Sequence, residues 1–347
     1  MDKLRAVVDG TVLLLIFGWL LHVGKEILVP AVLGAVIVYV VVGLAHALER
    51  LPGLGGRLPL RLRYAFSIAA IALVFVVVAY LVMANKEHAL TMAPVYQESL
   101  LAAIQRVAVF FGIETEPTWA TLRQELAAQV NLQRLFGSLL ASLSSILVTF
   151  IVVFLYATFL LIERRGFETK LANLSADPQR VARIRALIRV VNQRIGSYLA
   201  LKTVLSLFLG AVSWAVMAVF GLEFALLWAV LTAFLNFVPY VGSALGVLLP
   251  ALMAIVQFQD PGVLFWLLVS LTAVQFLIGN FLDPYVMGNS LNLSPFAILI
   301  SLAVWSELWG IAGAFLAVPI TAIMTIVFRE FAGTRPIAVL LSKSGRL

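Results

Sequence analysis

An all-α polytopic membrane protein is the fold class this sequence predicts, and three observations predict it. Hydrophobic residues make up 63% of the 347 residues and charged residues only 12%, against roughly 45–50% and about 25% in soluble domains. Between Lys202 and Arg329 there are 126 residues without Lys, Arg or His. That block holds only four charges, the carboxylates Glu223, Asp260, Asp283 and Glu307. The apolar runs are long and unbroken, whereas a β-barrel would show short alternating segments. The chain has no cysteine, which excludes disulfides, thiolate nucleophiles and Cys-based metal sites. The net charge of +7 comes from bases clustered in loops, as membrane orientation requires, and is no sign of a nucleic-acid partner.

A membrane span needs about 20 apolar residues. Residues 1–84 supply three, over about 7–23, 27–48 and 64–84, with Pro30 tolerated in the first turn of the second. Lys3 and Arg5 precede the first span and His22, Lys25 and Glu26 follow it, without a small-residue cleavage site; this predicts an uncleaved anchor. Residues 85–138 carry four bases and five acids and two helical patterns, one from Pro94 to Phe111 and one after Thr118. They predict a helical excursion outside the membrane. Residues 139–163 form a fourth span.

Residues 164–202 are the most basic segment. Asp177-Pro178 starts a helix whose apolar residues Val181, Ile184, Ile188, Val191 and Ile195 form one seam. The seam either lies on lipid headgroups or contacts another subunit of a homo-oligomer. Bases concentrate at the N-terminus, around residues 49–63, in 164–202 and in the tail, 329–347. The positive-inside rule then places both termini in the cytoplasm and the excursion outside, in a bacterial-type inner membrane.

The transport core, residues 203–328, reads as two copies of one pattern. Each is a span, an apolar tetrapeptide (Phe224–Leu227 or Phe296–Leu299), a Pro- or Gly-bearing break, and a final apolar run that contains Pro250 or Pro319. The offset of about 70 residues places Asn236 opposite Glu307. Each interrupted element is about 33 residues, or about 50 Å as one helix, too long for a hydrocarbon core of about 30 Å. Each is therefore a broken helix or a re-entrant hairpin. Opposed hairpins are favoured, because paired interrupted segments mark transporters with inverted repeats. The expected architecture is about six full spans plus two such hairpins.

Three stretches carry a resemblance: Asn236-Phe237-Val238-Pro239-Tyr240-Val241-Gly242; Asp283-Pro284-Tyr285-Val286-Met287-Gly288 with Leu293-Ser294-Pro295; and Trp309-Gly310-Ile311-Ala312-Gly313 with Pro319. With them this chain resembles the AI-2E transporter family, although that family often has Glu where Asp283 stands. The resemblance implies an oligomeric inner-membrane transporter. Some members are linked to export of the signal autoinducer-2 and others to sodium/proton antiport.

Glu307, at the second break, is the strongest candidate for coupling transport to a proton or sodium ion, because desolvation raises a carboxyl's pKa. The competing role is structural. Asn236 either bonds a polar substrate or caps the break. The backbones of Pro239, Tyr240, Gly242, Trp309, Gly310 and Gly313 offer amides and carbonyls at the breaks. Gln275 and Asn280 either line the path or bond between helices. Asp283 is a cap or turn residue by default, and Pro284, Gly288 and Pro295 are read with Pro250 and Pro319 as structural breaks. Trp305 and Trp309 pack beside Glu307, and Lys202 is expected to snorkel. No P-loop, metal-binding His pair or nucleophile elbow occurs. The expectation is a non-enzymatic carrier without metal or cofactor, partnered by lipid and a small polar substrate. An oligomeric channel-like pore and a non-transporting membrane scaffold are the alternatives.

Overall fold

The computed structural model describes residues 2–49, 58–110, 132–258, 260–288 and 291–345. The proposed second helix of the excursion, after Thr118, lies outside these. Helices α1 (Asp2–Val23) and α2 (Lys25–Glu49) are joined by a turn at Gly24. Then come α3 (Leu60–Phe110), α4 (Leu132–Ala172) and α5 (Pro178–Val219). The last third holds α6 (Ala225–Leu235), α7 (Val241–Gln257) and α8 (Pro261–Leu277). A π-helical turn, Ile278–Leu282, leads into the short α9 (Asp283–Met287). The chain closes with α10 (Pro295–Glu330) and α11 (Arg335–Leu341). Five helical stretches among the described residues are long and apolar enough to cross a membrane. The protein is an all-α, multi-pass membrane protein.

Two expected boundaries are absent. The third span and the first helix of the excursion are one 51-residue helix, α3. No residue between them ends it, because the Asn85 amide turns back onto the Leu81 carbonyl (2.7 Å) and Pro94 is absorbed inside the helix. The basic helix likewise runs without interruption into the following span as α5.

The described chain divides into two compact units. One is Met1–Ile68, Thr149–Thr203 and Met287–Leu347; the other is Ala69–Val148 and Val204–Val286.

In the first unit, glycines let helices approach closely. A Cβ on Gly34 would meet Tyr156, Ala157 and Val153 of α4 at 2.9–3.2 Å, and one on Gly43 would meet the Ala200 Cβ of α5 at 2.6 Å. Small residues at such crossings are how membrane helices pack when lipid is as apolar as the interface. The Tyr39 hydroxyl donates to Asn192 Oδ1 (2.6 Å), adding a polar tie between α2 and α5. Val181 and Ile195, at the two ends of the α5 seam, are 8% and 1% exposed and pack inside the chain. Ile184, Ile188 and Val191 are half-buried. Lys202 is 7% exposed and so does not snorkel.

The core of the second unit is built from α3, α5, α6, α7 and α8. Tyr96, Met217, Leu222, Trp228, Ala229, Met253, Ala254, Val256, Leu267 and Leu271 form one buried cluster.

Candidate functional site

Both interrupted elements double back. In α6–α7, a Cβ on Gly242 would lie 1.8 Å from the Leu235 carbonyl oxygen. Seven residues of continuous helix would separate those positions by about 10 Å. The base of this hairpin is closed as well. Gln257, at the end of α7, donates from Nε2 to the Gly221 carbonyl (2.8 Å), and its Oε1 accepts from the Glu223 N–H (2.7 Å).

The same logic applies to α10. As a straight helix its 36 residues would extend about 54 Å. Yet the Ser294 N–H bonds the Leu341 carbonyl (2.9 Å) and the Lys343 N–H bonds the Asn292 carbonyl (3.0 Å). The chain from 331 to 341, partly helical, can reach only about 25 Å, so α10 must fold. It folds at Gly310, whose φ of 62° and ψ of −140° lie outside the helical region. Beyond it, a Cβ on Gly313 would lie 1.7 Å from the Trp305 carbonyl oxygen.

The two tips share a further landmark. Positive φ falls at Tyr240 (61°) and Gly310 (62°), five residues after Leu235 and five after Trp305. Aligned on these points, Asn236 corresponds to Ser306, and Glu307 to Phe237. The second turn then holds one extra residue before its closing glycine. Aligned instead on the closing glycines, Gly242 and Gly313, Asn236 stands opposite Glu307, as the sequence offset has it.

Pro239 lies in the first break, between α6 and α7, but Pro250, Pro284, Pro295 and Pro319 interrupt no helix. Helix α7 continues through Pro250, Pro319 sits buried inside the second arm of α10, and Pro295 is the first residue of α10 behind the Ser294 cap. Ser294 Oγ accepts from the Ala297 N–H (3.0 Å). Pro284 lies inside α9; Gly288, with φ of 52°, ends that helix. Pro250 shows how an interior proline is tolerated. It has no N–H for the carbonyl four residues back, which belongs to Gly246. The Thr232 hydroxyl of α6 donates to that carbonyl instead (3.2 Å). The freed acceptor thus joins the two arms of the hairpin.

A polar seam runs through the second unit. At the tip, Asn236 is 6% exposed and donates from Nδ2 to Ser206 Oγ of α5 (3.0 Å). Ser206 lies 14 residues before Phe220, so the tip reaches about 20 Å along α5 from the hairpin base. Deeper in, Gln275 of α8 is 8% exposed and lies against Gly246, where a Cβ would meet its Nε2 at 2.6 Å. No acceptor among the described residues reaches Gln275 Nε2. The π-helical turn begins three residues later; Asp283 donates its N–H to the Ile278 carbonyl within it. Such turns recur at functional sites in helices. Asn280 is exposed and its amide returns to the Phe276 carbonyl of its own helix (3.2 Å), so it makes no bond between helices. Asp283 is helical rather than a turn residue.

The second tip has a different chemistry. Trp309, 8% exposed, donates its indole N–H to the Leu21 carbonyl (2.9 Å). That carbonyl lies in the last turn of α1, where helical partners run out. The tip is therefore held level with the α1–α2 turn. Trp305 packs on Trp309, with ring centroids 5.1 Å apart. Glu307 is exposed on the surface of its unit, and Ile311 is 77% exposed.

Ser206, Thr232 and Gly246 were not legible as site residues in the sequence. The one available signal was Pro250, which announces a stranded carbonyl four residues earlier. A prediction follows for Gln275. Removing a buried donor that lacks an acceptor relieves about 1–2 kcal/mol. Gln275→Met is therefore expected to raise Tm in detergent by a few degrees while lowering flux, as measured by thermal unfolding and vesicle transport in parallel.

Comparison with known proteins identifies the family. The profile of the AI-2E family of transporters matches residues 11–333. The AI-2 transport protein TqsA of Escherichia coli is 29% identical over 324 residues, covering 91% of this chain and 90% of that protein. Escherichia coli YhhT, whose name proposes a transport role, is 30% identical over 257 residues, covering 73% and 71%. A Borreliella burgdorferi protein also named for transport is 34% identical over 214 residues, but this spans 61% of the chain and only 58% of that protein. With two back-folded helical elements near its C-terminus and a family match over nearly its whole length, the chain belongs to the AI-2E family of transporters.

Proposed function

We propose that this protein is a secondary transporter that exports a small polar molecule, of the kind named by its TqsA relative, at the expense of a proton or sodium gradient. The observation that carries the reading is the pair of helical hairpins, each closed by a glycine on a helix-end carbonyl. At the first tip the amides of Phe237, Val238, Val241 and Gly242 bond within the turn itself; such irregular backbone inside a membrane protein is tolerated only beside protein or a water-filled cavity. Asn236 and Gln275 supply neutral hydrogen-bonding groups along the first hairpin. Glu307 supplies the titratable group of the second. A carboxylate exposed on its own unit in a membrane faces water, a substrate path or another subunit, since lipid costs it about 3 kcal/mol or more. In this reading the two hairpins are inverted copies, the termini are cytoplasmic and the chain assembles as a homo-oligomer.

The test is transport by the purified chain in proteoliposomes. Autoinducer-2 is loaded on one side and a proton or sodium gradient is imposed. Saturable, gradient-driven movement with counterflow is the expected result. Rapid downhill movement without counterflow indicates a pore. Sodium-dependent proton movement without autoinducer-2 flux indicates a cation antiporter. No flux of any kind overturns the transporter reading.

A further inference from the structure

The base of the first hairpin carries a cluster that the transport reading does not use. Tyr96 of α3 is 6% exposed, and its hydroxyl donates to the Glu223 carboxylate. His88, two turns earlier on α3, places Nε2 3.5 Å from the same carboxylate. Its ring also lies on Phe224, with centroids 5.4 Å apart. Phe224 has a positive φ of 57°, a backbone conformation that a bulky side chain holds only when its surroundings enforce it. Glu223 is fixed from the other side by its N–H bond to Gln257 Oε1 (2.7 Å), and Gln257 in turn holds Gly221 (2.8 Å). Glu223 therefore ties α3 to the α5–α6 loop through its carboxylate, and the loop to the end of α7 through its N–H.

The three titratable groups differ in what pH can do to them. Burial, and then the hydrogen bond and charge of Glu223, push the Tyr96 hydroxyl far above the ordinary tyrosine range. Tyr96 thus stays a proton donor at every physiological pH. Histidine is the side chain whose charge changes between about pH 5 and 8, and His88 is half-exposed (48%) and open to solvent protons. Glu223 has no other ionic partner among the described residues. Lys86 and Glu87, next to His88 in the chain, are both exposed, and Asp260, three residues beyond Gln257, has a carboxylate that accepts from the Gly262 N–H (2.7 Å) as the cap of α8.

We infer that His88, Glu223 and Tyr96 form a proton-operated latch on the base of the α6–α7 hairpin. When His88 is charged, the carboxylate holds a cation and a phenol together and the strained loop is clamped. When His88 is neutral, Tyr96 alone remains and the loop opens more often. The sign follows: the clamp is complete while His88 carries its proton and relaxes when the proton is lost, so protection falls from acid to alkaline pH. This inference does not depend on what the protein transports.

The test is hydrogen exchange of amides 221–226 in lipid nanodiscs, corrected for the intrinsic pH dependence of exchange. In the wild type, protection is expected to fall about threefold between about pH 5.5 and 8, the size of a half-exposed ion pair. His88→Gln, which keeps a donor but cannot gain charge, should show the lower protection at both pH values. Glu223→Gln keeps an acceptor for Tyr96 and should also flatten the profile, so loss of folding is separable from loss of the switch. Equal wild-type protection at both pH values, or a pH dependence that persists in His88→Gln, overturns the latch.

Discussion

Gly242→Ala and Gly313→Ala are each expected to prevent the protein from reaching its native fold. The added methyl carbon would sit 1.8 Å from the Leu235 carbonyl oxygen in one case and 1.7 Å from the Trp305 carbonyl oxygen in the other. Neither obstacle is a flexible side chain. Each is a backbone carbonyl at the end of a helix whose other contacts fix it. Ordinary overpacking costs about 1–3 kcal/mol; here the turn itself must open, and the loss should exceed about 4 kcal/mol, a size reserved for specific structural failures. Size-exclusion profiles and thermal unfolding of detergent-purified variants measure it directly. Gly279→Ala is the control, because a Cβ there meets no atom within 4 Å. If all three variants purify and melt alike, the hairpin turns are not closed as described.

Glu307→Gln is expected to abolish gradient-driven flux, by about tenfold or more, while leaving the protein folded. Glu307 is exposed, and the second tip is held by the Trp309 bond to Leu21 and by Gly313, neither of which uses the carboxylate. Gln preserves size and hydrogen bonding and removes only the proton exchange and the charge. In proteoliposomes the variant should still exchange substrate downhill but should no longer respond to an imposed proton or sodium gradient. A tenfold loss corresponds to about 1.4 kcal/mol, well above the effect of an exposed charge with no role. Full gradient response at every pH and sodium concentration would exclude Glu307 as the coupling group and leave the rest of the path untouched.

Asn236 shows how far side-chain chemistry could be inferred from order alone. Its position at a break was legible, since a polar amide beside Val-Pro-Tyr interrupts a helix of apolar residues. Its partner, Ser206, was not, because the contact joins residues 30 apart on different helices. Thr232 was hidden more deeply: a threonine in an apolar helix is usually satisfied by its own backbone. Only the packing of α6 on α7 reveals that it takes the carbonyl left by Pro250. The register of the two tips depends on the landmark matched: the positive-φ residues set Asn236 against Ser306, and the closing glycines set it against Glu307. A repeat offset counts residues, whereas the turns are fixed by positive φ and by a glycine against a carbonyl. One extra residue in the second turn shifts the match. Pro239 does mark the first break, whereas Pro250 and Pro319 sit inside helix arms. The structure bends where a residue can adopt positive φ, and neighbouring side chains repair the proline sites.

Burial of apolar surface in lipid is a matter of composition and run length, so residue order was enough for the membrane class and the family resemblance. It also located both reversals to within a few residues, because a helix longer than the bilayer core must break where its residues permit. The tertiary structure alone decided how each reversal closes, which helix end anchors it, and which polar side chains meet. Those outcomes depend on distances between residues remote in the chain. A carbonyl stranded by Pro250, an indole seeking the last turn of α1 and a carboxylate shared by Tyr96 and His88 find partners only once the helices pack.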